Sequence, residues 1–85
     1  MDEMLKKTFK NWLYNKRMEL NYSQELMAEK CCISARQYCN LEHGYQLPSF
    51  KTLISILITL DTDFNTYIAS LIAEGYSVTE KDEAI

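Results

Sequence analysis

Residues 23–44, SQELMAEKCCISARQYCNLEHG, decide the fold of this chain because they predict two short helices joined by a tight turn. Ser23 is a favourable N-cap for a helix over residues 24–31, and Ser34 is one for a second helix over residues 35–43. Gly44 then ends the second helix, since glycine readily adopts the left-handed conformation that follows many helices. Ser34 and Gln37 also have the spacing of a capping box.

The second predicted helix has two different faces. Tyr38 and Leu41 lie on one side, which is expected to pack inward. Another face carries Arg36, Asn40 and His43 at positions i, i+4 and i+7. We expect this polar face to contact another molecule.

Three further amphipathic segments predict an all-α protein of five helices. A first helix over residues 2–18 has an apolar stripe formed by Leu5, Phe9, Trp12 and Leu13. A fourth helix follows the Ser49 cap, ends near residue 60 and is expected to pack inward through Phe50, Leu53, Ile54 and Leu57. A fifth lies between the Asp63 cap and Gly75, with an apolar face of Phe64, Tyr67, Ile68, Leu71 and Ile72.

The composition indicates one small, compact domain. The 85 residues are 47% hydrophobic and include two glycines and one proline, too few turn formers for many strands. We expect the domain to span residues 1–78 and the acidic residues 79–85 to form a frayed tail. The apolar run at 53–60 is shorter than the roughly 20 residues of a membrane span. Since the charged amino end is also unlike a signal peptide, we expect a cytoplasmic protein without membrane contact.

Few residues of the chain are candidates for disulfide bonds, metal binding or catalysis. Three cysteines, an odd number with two adjacent, do not predict the disulfide framework of a secreted domain. Cys39 and His43 are a conceivable metal-binding pair, but two further ligands at a recognisable spacing are missing. The sequence has neither a glycine-rich phosphate loop nor a Ser, His and acid set. It therefore predicts no metal, no cofactor and no enzyme activity.

Charge is distributed unevenly along the chain, whose net charge is −3. Residues 1–51 carry eight Lys or Arg against six acids, whereas residues 52–85 carry one lysine against six acids. Because screening at physiological salt limits charge effects to about 8 Å, the local charge matters at a DNA surface. The weakly basic first part predicts low non-specific DNA affinity, with phosphate contacts that use neutral donors as well as lysines.

The central stretch resembles the helix-turn-helix proteins of the Cro and phage-repressor type, also called XRE-like, and the likeness covers most of the chain. It rests on Ala28 at the helix crossing, Ser23-Gln24, Leu41-Glu42-His43-Gly44, and Pro48-Ser49 followed by Leu53 and Leu57. Cys32 departs from the pattern, since the family usually has glycine in the turn; a left-handed cysteine costs about 1 to 2 kcal/mol. The resemblance implies a compact, lambda-repressor-like DNA-binding domain of five helices.

The resemblance also implies sequence-specific binding of double-stranded DNA by a transcriptional regulator, most often a repressor. The helix at 35–43 would enter the major groove. The family's base-reading positions correspond to Ala35, Arg36, Gln37 and Asn40, and its phosphate-contacting positions to Gln24, His43, Tyr45 and Gln46. Structural roles stay open for Gln37 in the capping box, His43 on helix-end carbonyls and Ala35 as a helix former.

Arg36 and Asn40 are the strongest candidates for base reading. They lie one helical turn apart, so both can reach neighbouring bases in the major groove. Arginine matches the two acceptors of guanine, asparagine matches the donor and acceptor of adenine, and Ala35 leaves room for a thymine methyl. Arg36 could instead hold a phosphate.

Two more sets of residues have expected roles. The resemblance places Arg17 and Glu42 where family members form an ion pair, the alternative being two solvated charges. We also expect a homodimer, because the last two helices have more apolar residues than a four-helix core requires: Ile58, Leu71, Ile72, Tyr76 and Val78. These residues could instead only thicken the monomer core.

A different class of function stays possible. The helix-turn-helix fold could bind another protein, as an antitoxin or a small inhibitor might, since a fold does not dictate a function. The acidic net charge and Cys39 on the contact side favour this alternative. Strong dependence of duplex binding on salt would separate DNA binding from a protein-interaction module.

Overall fold

The computed structural model describes residues 2–77, and these form helices without any strand. In chain order the helices are α1 (Asp2–Leu20), α2 (Gln24–Lys30), α3 (Ala35–Glu42), α4 (Phe50–Thr59) and α5 (Phe64–Ala73). The predicted all-α class is therefore confirmed. The expected domain end at residue 78 and the expected tail at 79–85 lie outside the described residues. None of the helices in the described part is both long and apolar enough to cross a bilayer.

Four helices begin at the caps that the sequence predicts. The side chains of Ser23, Ser34, Ser49 and Asp63 accept hydrogen bonds from backbone N–H groups three residues later, at distances of 2.7 to 3.2 Å. Each bond satisfies a donor that the first helical turn leaves unpaired. Helix ends differ slightly from expectation: α1 continues two residues further, and Cys31 and His43 are C-caps outside α2 and α3.

Each of the five helices in residues 2–77 is followed by a residue with positive φ: Asn21, Cys32, Gly44, Asp61 and Gly75. In every case the next backbone N–H bonds back to a carbonyl five residues earlier, as Ile33 does to Ala28 at 3.1 Å. This pattern is the Schellman motif, which satisfies carbonyl groups at a helix end. Asparagine, aspartate and glycine tolerate this conformation, whereas Cys32 at φ 62° is strained by its Cβ.

Replacing Cys32 by glycine should therefore raise the free energy of unfolding by about 0.5 to 1 kcal/mol. The free energy gained by relieving the strain in the folded state exceeds the free-energy cost of the extra conformational entropy that glycine gives the unfolded chain. Urea denaturation of both proteins measures the difference. Asn21→Gly is the matched control with a smaller expected gain, and a loss of stability in Cys32→Gly would disprove the strain.

The core is a single cluster to which every helix contributes. Its buried side chains are Phe9, Trp12, Leu13, Met27, Ala28, Cys31, Tyr38, Leu41, Ile56, Leu57, Tyr67 and Leu71. The Trp12 and Tyr67 rings meet edge to face at 4.9 Å and join α1 to α5. Burial raises the pKa of Tyr67 to about 12, so its hydroxyl is neutral. Burying these apolar surfaces is the main force that holds such short helices together.

Two expectations about the core are wrong. Phe50 is 71% exposed, whereas Leu57 is buried as expected, and Thr52 and Ile56 are buried in addition. On α5 only Tyr67 and Leu71 are buried, whereas the remaining apolar residues of its face are exposed: Phe64, Ile68 and Ile72. The reason is that α5 packs mainly on α1, so a narrow stripe of one residue per turn is covered.

Candidate nucleic-acid interface

The outer face of α3 is polar and accessible. Ala35 and Arg36 are exposed there, and Asn40 is partly exposed one turn after Arg36. The opposite face is fully buried through Tyr38 and Leu41. Packing through that face leaves the polar side chains free to contact a ligand.

Gln37 does not close the predicted capping box with its side chain. Its backbone N–H donates to Ser34 Oγ at 3.0 Å, but its side-chain Nε2 donates to Thr52 Oγ1 at 3.5 Å. This long bond joins the beginning of α3 to the beginning of α4. The bond is weak, so the Gln37 amide can also be used by a ligand.

Arg17 and Glu42 form a buried ion pair that ties α1 to the end of α3. Arg17 Nε and Nη2 donate to the two carboxylate oxygens of Glu42 at 2.8 and 2.9 Å, and Nη1 donates to the Tyr22 carbonyl at 2.9 Å. The side chains are only 12% and 5% exposed. This pairing is bidentate, the strongest geometry between arginine and a carboxylate, and the two charges are not simply solvated.

Glu42 accepts two further hydrogen bonds. Tyr38 OH donates to Oε2 and Gln24 Nε2 donates to Oε1, both at 2.7 Å. Burial alone would raise the pKa of the Glu42 carboxyl, but the bonds from Arg17, Tyr38 and Gln24 outweigh burial and lower it. Burial and the bond to Glu42 raise the pKa of the Tyr38 hydroxyl, which is therefore a neutral donor. The carboxylate thus joins α1, α2 and α3 in one polar network.

Gln24, an expected phosphate contact, belongs to this network. Its Nε2 donates to Glu42, and its Oε1 accepts from Cys39 Sγ at 3.3 Å. The side chain remains partly exposed at the first residue of α2. An amide nitrogen has two N–H groups, so one of them is left for a ligand.

His43, Tyr45 and Gln46 lie just after α3. His43 Nδ1 is 2.7 Å from the Cys39 carbonyl, which fixes Nδ1 as the donor, and its ring stacks on Tyr45 at 5.3 Å. Tyr45 is 69% exposed, and Gln46 is exposed as well. The histidine therefore caps the helix through one nitrogen and presents the other to its surroundings.

Lys10 is a candidate contact that sequence reasoning missed. Gly44 has φ 78°, and a Cβ at this position would lie 2.9 Å from Lys10 Cδ. The lysine stem therefore packs over Gly44, beside the loop that holds Tyr45 and Gln46. No local pattern could reveal this, because the two residues are 34 positions apart in the chain.

The five residues expected at a dimer interface do not share one environment. Ile58 is 74% exposed, Ile72 is exposed and Tyr76 is partly buried, while Val78 lies outside the described residues. Leu71 is only 3% exposed. The expectation for Leu71 is therefore corrected, because this side chain is part of the monomer core and offers almost no surface.

Within residues 2–77, no group of three or more His, Cys, Asp or Glu side chains is arranged to hold a metal ion. Cys39 and His43 interact through the cysteine carbonyl and the imidazole. Of the cysteines, Cys31 is buried, Cys32 exposed and Cys39 partly exposed, all as free thiols. Burial raises the pKa of the Cys31 thiol, which suits its place in the core.

A comparison with known protein families gives a match in the region that contains α2 and α3. A family model described as Helix-turn-helix matches residues 13–66, which extend from the middle of α1 into α5. Searches of curated proteins and of solved structures found no match. The matched segment contains the whole of α2, α3 and α4 together with the Arg17 and Glu42 pair.

Proposed function

Because the chain belongs to the helix-turn-helix family of the Cro and phage-repressor type, a DNA-binding and not an enzymatic family, we propose that it is a sequence-specific double-stranded DNA-binding repressor of transcription. The observation that carries the proposal is the exposed polar face of α3 behind a fully buried apolar face. In this motif the second helix enters the major groove and the first crosses the backbone. As a regulator of genes it would act in the cytoplasm.

Arg36 and Asn40 are proposed as the main base readers, with Ala35 and Gln37 beside them. Arg36 is exposed, and no described hydrogen bond or ion pair within residues 2–77 holds it. An unconstrained guanidinium can present two donors to guanine, the commonest specific contact in the major groove. Asn40 is on the same strip of the helix and can reach the next base pair.

Phosphate contacts are proposed for Gln24, His43, Tyr45, Gln46 and additionally Lys10. They lie around the C-terminal end of α3, since Gln24 bonds to Glu42, Lys10 packs over Gly44 and the other three residues follow the helix. A duplex backbone would pass at this end when the helix lies in the groove. Three of these side chains, Gln24, Tyr45 and Gln46, are neutral donors, in keeping with a chain whose net charge is −3. We therefore expect phosphate attraction to contribute little to affinity. Contacts with the bases should supply the specificity.

Duplex affinity should fall with salt, but less steeply than for strongly basic regulators. Lys51 is exposed in the first turn of α4 and is a further candidate for a phosphate contact. If Lys10 and Lys51 each contact one phosphate in both subunits of a dimer, log K against log salt should have a slope of about −4. Fluorescence anisotropy with a selected duplex measures the slope. Lys51→Ala should make it shallower, whereas Lys16→Ala, which removes a lysine that lies beside Glu19 on α1, serves as a control that leaves it unchanged. No duplex binding at low salt would refute the proposal.

We also propose that the protein binds DNA as a homodimer. The exposed Phe64, Ile68 and Ile72 follow one another at i, i+4 and i+8 along α5, and Ile58 is exposed on α4. A contiguous apolar surface of this kind usually marks an interaction site. Two-fold symmetry would then place the half-sites about one helical turn apart on the DNA.

Light scattering should give twice the 10.0 kDa mass of one chain. Ile72→Lys should shift the mass towards the monomer, because it places a charge within the proposed apolar contact. Leu20→Lys, which changes an exposed residue at the end of α1, is the control and should leave the mass unchanged. A monomeric mass for the unaltered protein at high concentration would contradict the dimer.

One observation favours the alternative of a protein-interaction module. Tyr45 and Phe50 are 69% and 71% exposed near the ends of α3 and the start of α4. Exposed aromatic rings are typical of protein interfaces, where they supply large contact area. An antitoxin or inhibitor of this fold would bind its partner without the steep salt dependence of a DNA complex.

A further inference from the structure

The Gln24 side-chain amide is held at both ends. Its Nε2 donates to Glu42 Oε1 at 2.7 Å, and its Oε1 accepts from Cys39 Sγ at 3.3 Å. Turning the amide over would place its oxygen against the Glu42 carboxylate and its N–H groups against the thiol hydrogen. The exchange at Glu42 loses a hydrogen bond and adds repulsion between two acceptors, so the amide has one orientation, in which its oxygen accepts from the thiol.

Fixing this amide leaves a single N–H without a partner in the network. Gln24 is partly exposed, so that N–H is available to a phosphate oxygen. Glu42 is itself fixed by Arg17 and Tyr38, whereas Cys39 is the contact that comes from the middle of α3. The same cysteine also holds His43, because its carbonyl accepts from His43 Nδ1 at 2.7 Å.

We propose that Cys39 is a positioning residue for DNA binding, whose thiol holds the Gln24 amide so that its free N–H faces the DNA backbone. The inference rests on the proposed function, since a phosphate is the group that this N–H would bind. Cys39 does not itself need to touch DNA. It links α3, which reads the bases, to the Gln24 side chain, which contacts the backbone. The two therefore meet the duplex in a fixed relative position.

The first test is a double-mutant cycle on duplex affinity at fixed salt. Cys39→Ala should weaken binding about 3- to 10-fold, the effect of one lost neutral hydrogen bond. In a Gln24→Ala background the same change should weaken binding less than about 2-fold, since the amide is already missing. Cys39→Ser retains a donor and should restore most of the affinity. Cys32→Ala, at an exposed thiol in the turn, is the control for simple cysteine replacement.

The second test needs no DNA. In nuclear magnetic resonance spectra of the free protein, Cys39→Ala should shift the Gln24 side-chain amide signals and speed their hydrogen exchange. Cys39→Ser should restore both. Unchanged amide signals would overturn the inference whether or not the protein binds DNA, as would an equal loss of affinity with and without Gln24. If the signals respond as expected but the unaltered protein binds no duplex, the proposed function fails while the thiol–amide geometry stands.

Discussion

Replacing Arg17 by methionine should lower the free energy of unfolding by about 3 to 5 kcal/mol, a large part of the stability of so small a domain. The substitution keeps much of the side-chain volume but removes the donors that pair with Glu42. The carboxylate is only 5% exposed, so water cannot replace them fully. Urea denaturation at neutral pH measures the loss, and an unchanged transition would show that the ion pair does not stabilise the protein.

Two control variants distinguish the effect of leaving the Glu42 charge without a partner from the effect of removing a positive charge. Lys16→Met changes the preceding residue of α1, whose contact with Glu19 is a surface pair at 3.7 Å. That change should cost about 0 to 1 kcal/mol. Adding Glu42→Gln to Arg17→Met should recover part of the stability, because the neutral amide leaves no buried charge without a partner.

The pH dependence of the Arg17→Met effect has a defined sign. In the unaltered protein the pKa of Glu42 is lowered, so the pair contributes stability above the ordinary carboxyl pKa. This contribution is lost as the pH falls through the folded-state pKa. Without Arg17 the carboxylate can become neutral on acidification, so the difference between the two proteins should shrink below about pH 4. A difference that grows there would contradict this explanation.

Replacing Arg36 by alanine should weaken binding to the preferred duplex by about 1 to 3 kcal/mol, a factor of roughly 5 to 150. The loss should be smaller on duplexes that already lack the matching guanine, because their contact with Arg36 is already missing. Titration against the preferred duplex and its single-base variants at fixed salt gives the comparison.

Lys51→Ala is the matched control for Arg36→Ala. Lys51 is exposed at the beginning of α4, and a phosphate contact there carries no sequence information. Its loss should weaken all duplexes alike and make the salt slope shallower by about 2, because each subunit of the dimer loses one phosphate contact. If Arg36→Ala behaves in the same uniform way, Arg36 holds a phosphate and the base-reading assignment is wrong.

The local features of the fold could be predicted because they depend on neighbouring residues. Ser23, Ser34, Ser49 and Asp63 cap helices through bonds that span three residues, so their position in the sequence is sufficient. The two faces of α3 follow from helical spacing in the same way. The resemblance to the family, confirmed by the match at residues 13–66, supplied the order and packing of these helices.

Other features depend on contacts between distant parts of the chain, which helical spacing does not reveal. The position of Lys10 over Gly44 and the bond from Cys39 to Gln24 both arise only after α1, α2 and α3 have packed. The apolar pattern of α5 predicted a wide buried face because it does not show how many neighbours a helix has. In the fold α5 packs on α1 through Tyr67 and Leu71.

Base reading by α3 is tested most directly by selecting bound duplexes from a random DNA pool, with the unaltered protein and Arg36→Ala in parallel. We expect one enriched site with two-fold symmetry and half-sites about one helical turn apart. We also expect Arg36→Ala to lose its preference at one guanine position in each half-site and to keep the others. Absence of any enriched site, or the same site for both proteins, would contradict base reading by α3.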